Sequence, residues 1–128
     1  LYLMEKIPCI CNLRDLCKAI SELEGSLVEI YGVSLNEAMV MCCIGGDKVA
    51  AGDIAQATGI KSSHLSKVLR SIEGKGLITR AFGDKDKRQV YFTLTPEAIN
   101  RLNSLKCSGL PVPDLLKGFF ADASLSMK

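Results

Sequence analysis

Residues 53–76, DIAQATGIKSSHLSKVLRSIEGKG, decide the fold. Gly59 divides them. Ahead of it, a short helix from about 52 to 58 is expected, which a glycine can close in the left-handed conformation. Behind it, Leu65, Val68, Leu69 and Ile72 fall at i, i+3, i+4 and i+7, the buried stripe of a second helix, and Ser63, Ser66, Lys67 and Arg70 repeat that spacing on the opposite side. Ala55, Gly59 and Leu65 stand as a helix-turn-helix requires: a small residue where two helices touch, a glycine at the tight turn, and an apolar residue six later that locks the second helix. Ile54, Ile60 and Val68 fill the remaining core positions. Any two short helices meeting at a glycine would share part of this pattern, so the following residues carry weight.

Gly74 and Gly76 stop the second helix. LITRAF (77–82) and QVYFTL (89–94) then read as two short strands, and the loop at 83–88 between them holds five consecutive charges, Asp84 to Arg88. A helix-turn-helix followed at once by a hairpin with a charged tip is the winged-helix arrangement, in which the second helix enters a major groove and the loop reaches a neighbouring minor groove. The strands would hold Lys85, Lys87 and Arg88 at a fixed distance from the recognition helix. Asp86 is spaced to pair with Arg88 and stiffen the tip; Asp84 and Asp86 would repel DNA, so an orienting role suits them better than a contacting one.

Further out, residues 12–31 place Leu13, Leu16, Ile20, Leu23, Leu27 and Ile30 at the alternating spacing of a helix seam that wants a partner helix. Gly32 ends it. Ser34 to Glu37, SLNE, is a capping box that starts the next helix, which runs to about Ile44 and stops at Gly45-Gly46. Thr95-Pro96 launches another through about Lys106, with Ala98, Ile99, Leu102 and Leu105 inward. SGLPVP breaks it, and Leu115, Leu116, Phe119 and Phe120, behind an Asp114 cap, form a short apolar stretch expected to pack on the first helix of the same chain or of another.

The chain has 128 residues, 48% hydrophobic and 23% charged, ordinary values for a soluble globular protein with a real core. No apolar run approaches a membrane span, and the first residues are too short and polar for a secretory signal, so a cytoplasmic location is expected. A chain that begins at Leu1 reads as a trimmed form. The net charge of +2 conceals an asymmetry: residues 61–90 hold eight Lys/Arg against three acids, a local +5, leaving −3 elsewhere. Such a basic segment is the footprint of a docking polyanion, or a solvated face with no such role. The six cysteines, at 9, 11, 17, 42, 43 and 107, lack zinc-site spacing and disulfide density. His64 is the only histidine and has no ligand-spaced neighbour, and there is no P-loop, nucleophile elbow or paired-carboxylate motif. Neither a metal, a cofactor nor an enzymatic activity is expected.

Residues 34–102 resemble the multiple antibiotic resistance regulator (MarR) family of bacterial repressors. The matching strings are DIAQATGI, SSHLSKVLRSIEGKGLITR and the wing motif DKDKRQVYFTLT leading into PEA. The resemblance implies a homodimer whose N- and C-terminal helices interlock, with Leu13, Leu16, Ile20, Leu23, Leu115 and Phe119 at the interface. The family usually ends in a long helix pair; here Gly109, Pro111 and Pro113 interrupt a short one, which implies a reduced or rearranged interface. It places Ser62, Ser63, His64, Ser66 and Lys67 where the recognition helix meets bases and phosphates, and Arg88 where the wing enters the minor groove. Short hydroxyls permit close approach and donate to phosphate, Lys67 and Arg70 neutralise it, and His64 is either a solvated surface residue or a donor to a purine edge. Lys75 and Arg80 read as helix-end or strand-edge charges. Some family members sense oxidants through an N-terminal cysteine, which makes Cys9 and Cys11 redox candidates, whereas Cys17, Cys42 and Cys43 read as core.

The expectation is therefore one mainly α winged-helix domain over 1–128, with dimerisation helices at 12–31 and 96–122 around a DNA-binding core at 34–94. Its expected function is sequence-specific regulation of transcription on a palindromic double-stranded operator, as a homodimeric repressor relieved by a small-molecule effector or an oxidant. The alternative is a winged helix used as a protein-interaction module without specific DNA binding.

Overall fold

The computed structural model describes residues 8–83 and 89–120, with the backbone alone at 107, 108 and 120. In order come α1 (Pro8–Tyr31), α2 (Leu35–Ile44), β1 (Val49–Ala50), α3 (Ala51–Thr58), α4 (Ser62–Gly74), β2 (Ile78–Phe82), β3 (Val90–Leu94), α5 (Pro96–Ser108) and a 3-10 segment, Asp114–Phe120. This is the mainly α winged-helix order expected from the sequence.

The stripe on α4 is buried as its spacing requires: Leu65, Val68, Leu69 and Ile72 join Ile54 of α3, Met41 and Ile44 of α2, Leu77 and Phe92 in the main core. Each such side chain contributes ~1.5–3 kcal/mol by leaving water. α3 and α4 meet at Gly59, with φ 76° and its N–H donating to Ala55 O at 2.8 Å. A Cβ there would touch nothing, so the backbone conformation rather than space calls for glycine. The expected capping box is complete: Ser34 Oγ accepts from Glu37 N, and Ser34 N donates to the Glu37 carboxylate. Thr95 starts α5 and also ties it to the sheet, with N donating to Leu77 O and Oγ1 donating to Gly76 O.

The sheet is antiparallel with β3 in the centre. β2 and β3 form the expected hairpin, pairing Ile78 with Leu94 through Phe82 with Val90, and Gly83 N donates to Gln89 O at 3.0 Å to close its base. The residues expected at the tip, Asp84, Lys85, Asp86, Lys87 and Arg88, lie outside the described residues. β1 pairs Val49 with Phe92 and Ala50 with Tyr91. It was not anticipated, because two residues cannot display an alternation.

Several expectations are corrected. α1 includes Pro8 to Cys11, and a proline suits a helix's first turn. Its seam does not lie on one side. Leu23 and Leu27 are buried and Leu16 is half-buried, while Leu13, Ile20 and Ile30 are exposed. Leu23 and Leu16, expected at a dimer interface, pack inside the chain in a second, small cluster with Ala19, Leu110, Val112 and Leu116. The 3-10 segment supplies Leu116, so the C-terminal apolar stretch does sit on the first helix of its own chain; Leu115 and Phe119 point outward. Ile99 is exposed rather than inward, and Cys17 and Cys42 are exposed rather than core. A helix that is apolar on more than its core-facing side presents cysteine outward without violating its local pattern.

Candidate nucleic-acid interface

α4 is built so that one side is fixed and the other is left for a partner. With its stripe buried, the helix exposes Ser62, Ser63, His64, Ser66, Lys67 and Arg70. Lys61 stands at the N-cap without a side-chain cap bond, leaving the first-turn N–H groups of α4 without that partner. The helix-start dipole adds partial positive charge at this end. Among the described residues, neither Lys67 nor Arg70 enters a salt bridge. The other two described cations of α4's end and the first wing strand do: Lys75 Nζ lies 2.7 Å from Glu37 Oε1, and Arg80 Nε lies 3.0 Å from Glu73 Oε2. The described cations of the basic segment thus divide into Lys75 and Arg80, held in ion pairs as read for them, and Lys61, Lys67 and Arg70, exposed at the start and along the outside of α4.

Two side chains on the helix are less free than their exposure suggests. Ser66 Oγ donates to Ser62 O at 3.1 Å, folding its hydroxyl onto the preceding turn. Asn36 Nδ2 of α2 lies 3.1 Å from His64 Nε2, within hydrogen-bonding distance. His64 and Lys67 border an open groove of about 380 Å³ with Glu24, Asn36, Glu37 and Ser71. His64 therefore belongs to the flank of α4 that faces α2, beside the outward face of Ser63, Ser66 and Arg70.

Sequence reasoning read Glu37 only as a local cap and missed the rest of its role. Its side chain is 5% exposed, yet it accepts from Ser34 N, from Ser71 Oγ at 2.6 Å and from Lys75 Nζ. Burial alone would raise its pKa; the bonds from Lys75, Ser71 and Ser34, with the Lys75 charge, outweigh that and hold the carboxyl below its ordinary value. Ser71 and Lys75 lie 34 and 38 residues away in sequence, so no local pattern could have announced them.

On the hairpin, Arg80 stacks over Phe92 at 5.7 Å and Lys48 over Tyr91 at 5.4 Å, and Thr79 meets Thr93 across the strands at 2.9 Å. Cys9 is exposed and Cys11 half-exposed on the first turn of α1, both as free thiols. The Cys42 thiol is pushed up by local desolvation and by neighbouring Cys43, which disfavours its thiolate. No group of three potential metal ligands occurs among the described residues, and no single helix described is long and apolar enough to cross a membrane.

The family model for the MarR family matches residues 31–89, a span from the end of α1 to the start of the second wing strand. Among solved structures, AbsC, a MarR family transcriptional regulator from Streptomyces coelicolor, is similar with a TM-score of 0.69 and 22% identity over 82% of this chain and 74% of that one. BpsR from Bordetella bronchiseptica, whose DNA binding is regulated by 6-hydroxynicotinic acid, gives 0.67 and 16% over 82% and 74%. MepR from S. aureus, solved as a DNA complex, gives 0.60 and 21% over 73% and 77%. At these identities the likeness establishes a shared fold. Comparison with curated proteins returns no match.

Proposed function

With the MarR family's sequence pattern at residues 31–89 and the winged-helix fold of its regulators around it, we propose that this chain is a sequence-specific double-stranded DNA-binding regulator of transcription. The observation that carries this is the outer face of α4: Ser62, Ser63, Ser66, Lys67 and Arg70 are exposed, and the two cations have no carboxylate partner among the described residues, unlike Lys75 and Arg80. Unpaired Lys and Arg beside short hydroxyls and an N-terminal helix turn suit phosphate and base edges. The hairpin's base is closed by Gly83 and Gln89, and on this reading Lys85, Lys87 and Arg88, which lie outside the described residues, are assigned to the duplex next to α4.

The chain acts as a homodimer on this reading. Ile10, Leu13 and Ile20 leave an apolar stripe exposed along α1, and Leu115 and Phe119 are exposed on the 3-10 segment that packs on α1, apolar surface suited to a second copy. Leu13, Ile20, Leu115 and Phe119 remain at that interface, and Leu16 and Leu23 support it from beneath. Two recognition helices would then meet half-sites about 34–36 Å apart on a palindrome. Repression relieved by a small molecule is the regulatory mode assigned, BpsR being a protein of this fold whose DNA binding is regulated by 6-hydroxynicotinic acid; Cys9 and Cys11, on α1 near the proposed interface, are the residues through which an oxidant would act.

Selection of bound sequences from random duplexes tests the reading. A palindromic consensus supports it. Retention of no sequence, together with tight binding to an acidic protein surface, would favour the interaction-module alternative.

A further inference from the structure

We propose that Glu37 is a positioning residue that fixes how α4 is rolled on α2, and so aligns the outer face of α4 with a duplex; the proposal rests on the DNA-binding reading above. Among the described residues Glu37 is the buried charged side chain. Its Oε1 accepts from Ser34 N at the start of α2 and from Lys75 Nζ at the C-cap of α4, each at 2.7 Å, and its Oε2 accepts from Ser71 Oγ in the last turn of α4 at 2.6 Å. Lys75 Nζ continues to Gly32 O, just past the end of α1, at 3.1 Å. One carboxylate thus joins α2 to α4 and, through Lys75, both to the end of α1.

The position of these contacts around α4 gives them their effect. At helical spacing, His64, Ser71 and Lys75 share a flank beside the buried stripe, and Lys67 stands where that flank meets the outer face of Ser63, Ser66 and Arg70. Near the start of that flank His64 is bonded to Asn36, the residue before Glu37; near its end Ser71 and Lys75 are bonded to Glu37 itself. Two adjacent residues of α2 therefore hold both ends of one side of the recognition helix. The apolar stripe is non-directional and allows a helix to roll by some degrees, whereas short charge-assisted hydrogen bonds do not. A roll would carry Lys67 and Arg70 off the phosphates without unfolding anything.

The test uses the full chain, the duplex recovered by selection and a random duplex of equal length, well below the melting temperature. Glu37→Ala is expected to lower affinity for the selected duplex about tenfold, as the aligned fraction of molecules falls to about a tenth. Affinity for the random duplex should fall less, so the specificity ratio shrinks while the salt slope stays put, because no phosphate contact is removed. Glu37→Gln keeps an acceptor for Ser34 N and Lys75 and should recover part of the ratio. Amide exchange along α4 should quicken in Glu37→Ala without DNA. An unchanged ratio in folded Glu37→Ala, even with a lowered melting temperature, overturns the proposal by reducing Glu37 to ordinary structural support. Should Glu37→Ala not fold, Ser71→Ala and Lys75→Met each remove one strut and spare the capping box, and an unchanged ratio in both overturns it. A wild-type chain that bound neither duplex would instead overturn the DNA-binding reading; the seating would then be read from α4 exchange alone, and unchanged exchange in Glu37→Ala would reject it.

Discussion

At the scale of single residues, Glu37 and Gly59 show two ways in which a position can be demanded. Glu37 is demanded by partners. Its carboxyl is held below the ordinary value of 4.5 in the folded chain and returns to that value on unfolding, so the native state binds this proton less readily. Its contribution is complete above the ordinary value and drains away as pH falls through the lowered native one. Denaturant midpoints measured from pH 7 down to pH 3 should therefore decline in the acid range, and Glu37→Gln should flatten that part of the curve. Gly59 is demanded by its own backbone, since φ is 76° and no atom crowds the site. Gly59→Ala should lower stability by about 1 kcal/mol, the cost of placing an ordinary residue in the left-handed region, as read by chemical denaturation. That need was legible in the sequence because it is local; the Ser71 and Lys75 partners of Glu37 were not, because the fold alone brings them there.

At the scale of elements, α4 was the most legible part of the chain. Four apolar positions at helical spacing fix which side is buried, and the polar side follows by elimination. The same reasoning failed on α1. Apolar residues occupy more than one side of that helix, so spacing alone could not separate Leu16 and Leu23, which face the chain's own 3-10 segment, from Leu13 and Ile20, which face outward. β1 was invisible for want of length, although its pairing with Phe92 and Tyr91 makes β3 a central strand. The sequence could name the exposed residues of α4 but not show that Asn36 engages His64 on the flank facing α2. The prediction proper to this element concerns charge: Lys67→Ala should weaken selected and random duplexes together and reduce the magnitude of the log–log salt slope by about 1. Fluorescence anisotropy over a salt series reads both effects. Replacement of Leu69 by Ala inside the stripe should instead cost ~2–5 kcal/mol of stability through the cavity it leaves.

At the scale of the whole molecule, the exposed apolar stripe of α1 and the outward Leu115 and Phe119 predict self-association. Sedimentation should find a dimer at micromolar concentration. Leu13→Asp, which sits 55% exposed and outside both core clusters, should yield a monomer of unchanged helical content that no longer prefers a palindrome. A wild-type monomer under the same conditions would remove the two-fold operator from the reading while leaving the fold untouched.

The two clusters have a mechanical consequence through the helix that they share. Leu23 belongs to the smaller and Leu27 to the larger, and the residue midway between them is Gly25, at which an added methyl group would meet nothing. A glycine inside a helix is its least rigid joint, so α1 is a beam whose weak point falls where its two anchorages change over. Bending there would tilt whatever is clasped to the amino-terminal half relative to the reading head, and Gly25→Ala, with about 1 kcal/mol of added helix stability, would brace that joint.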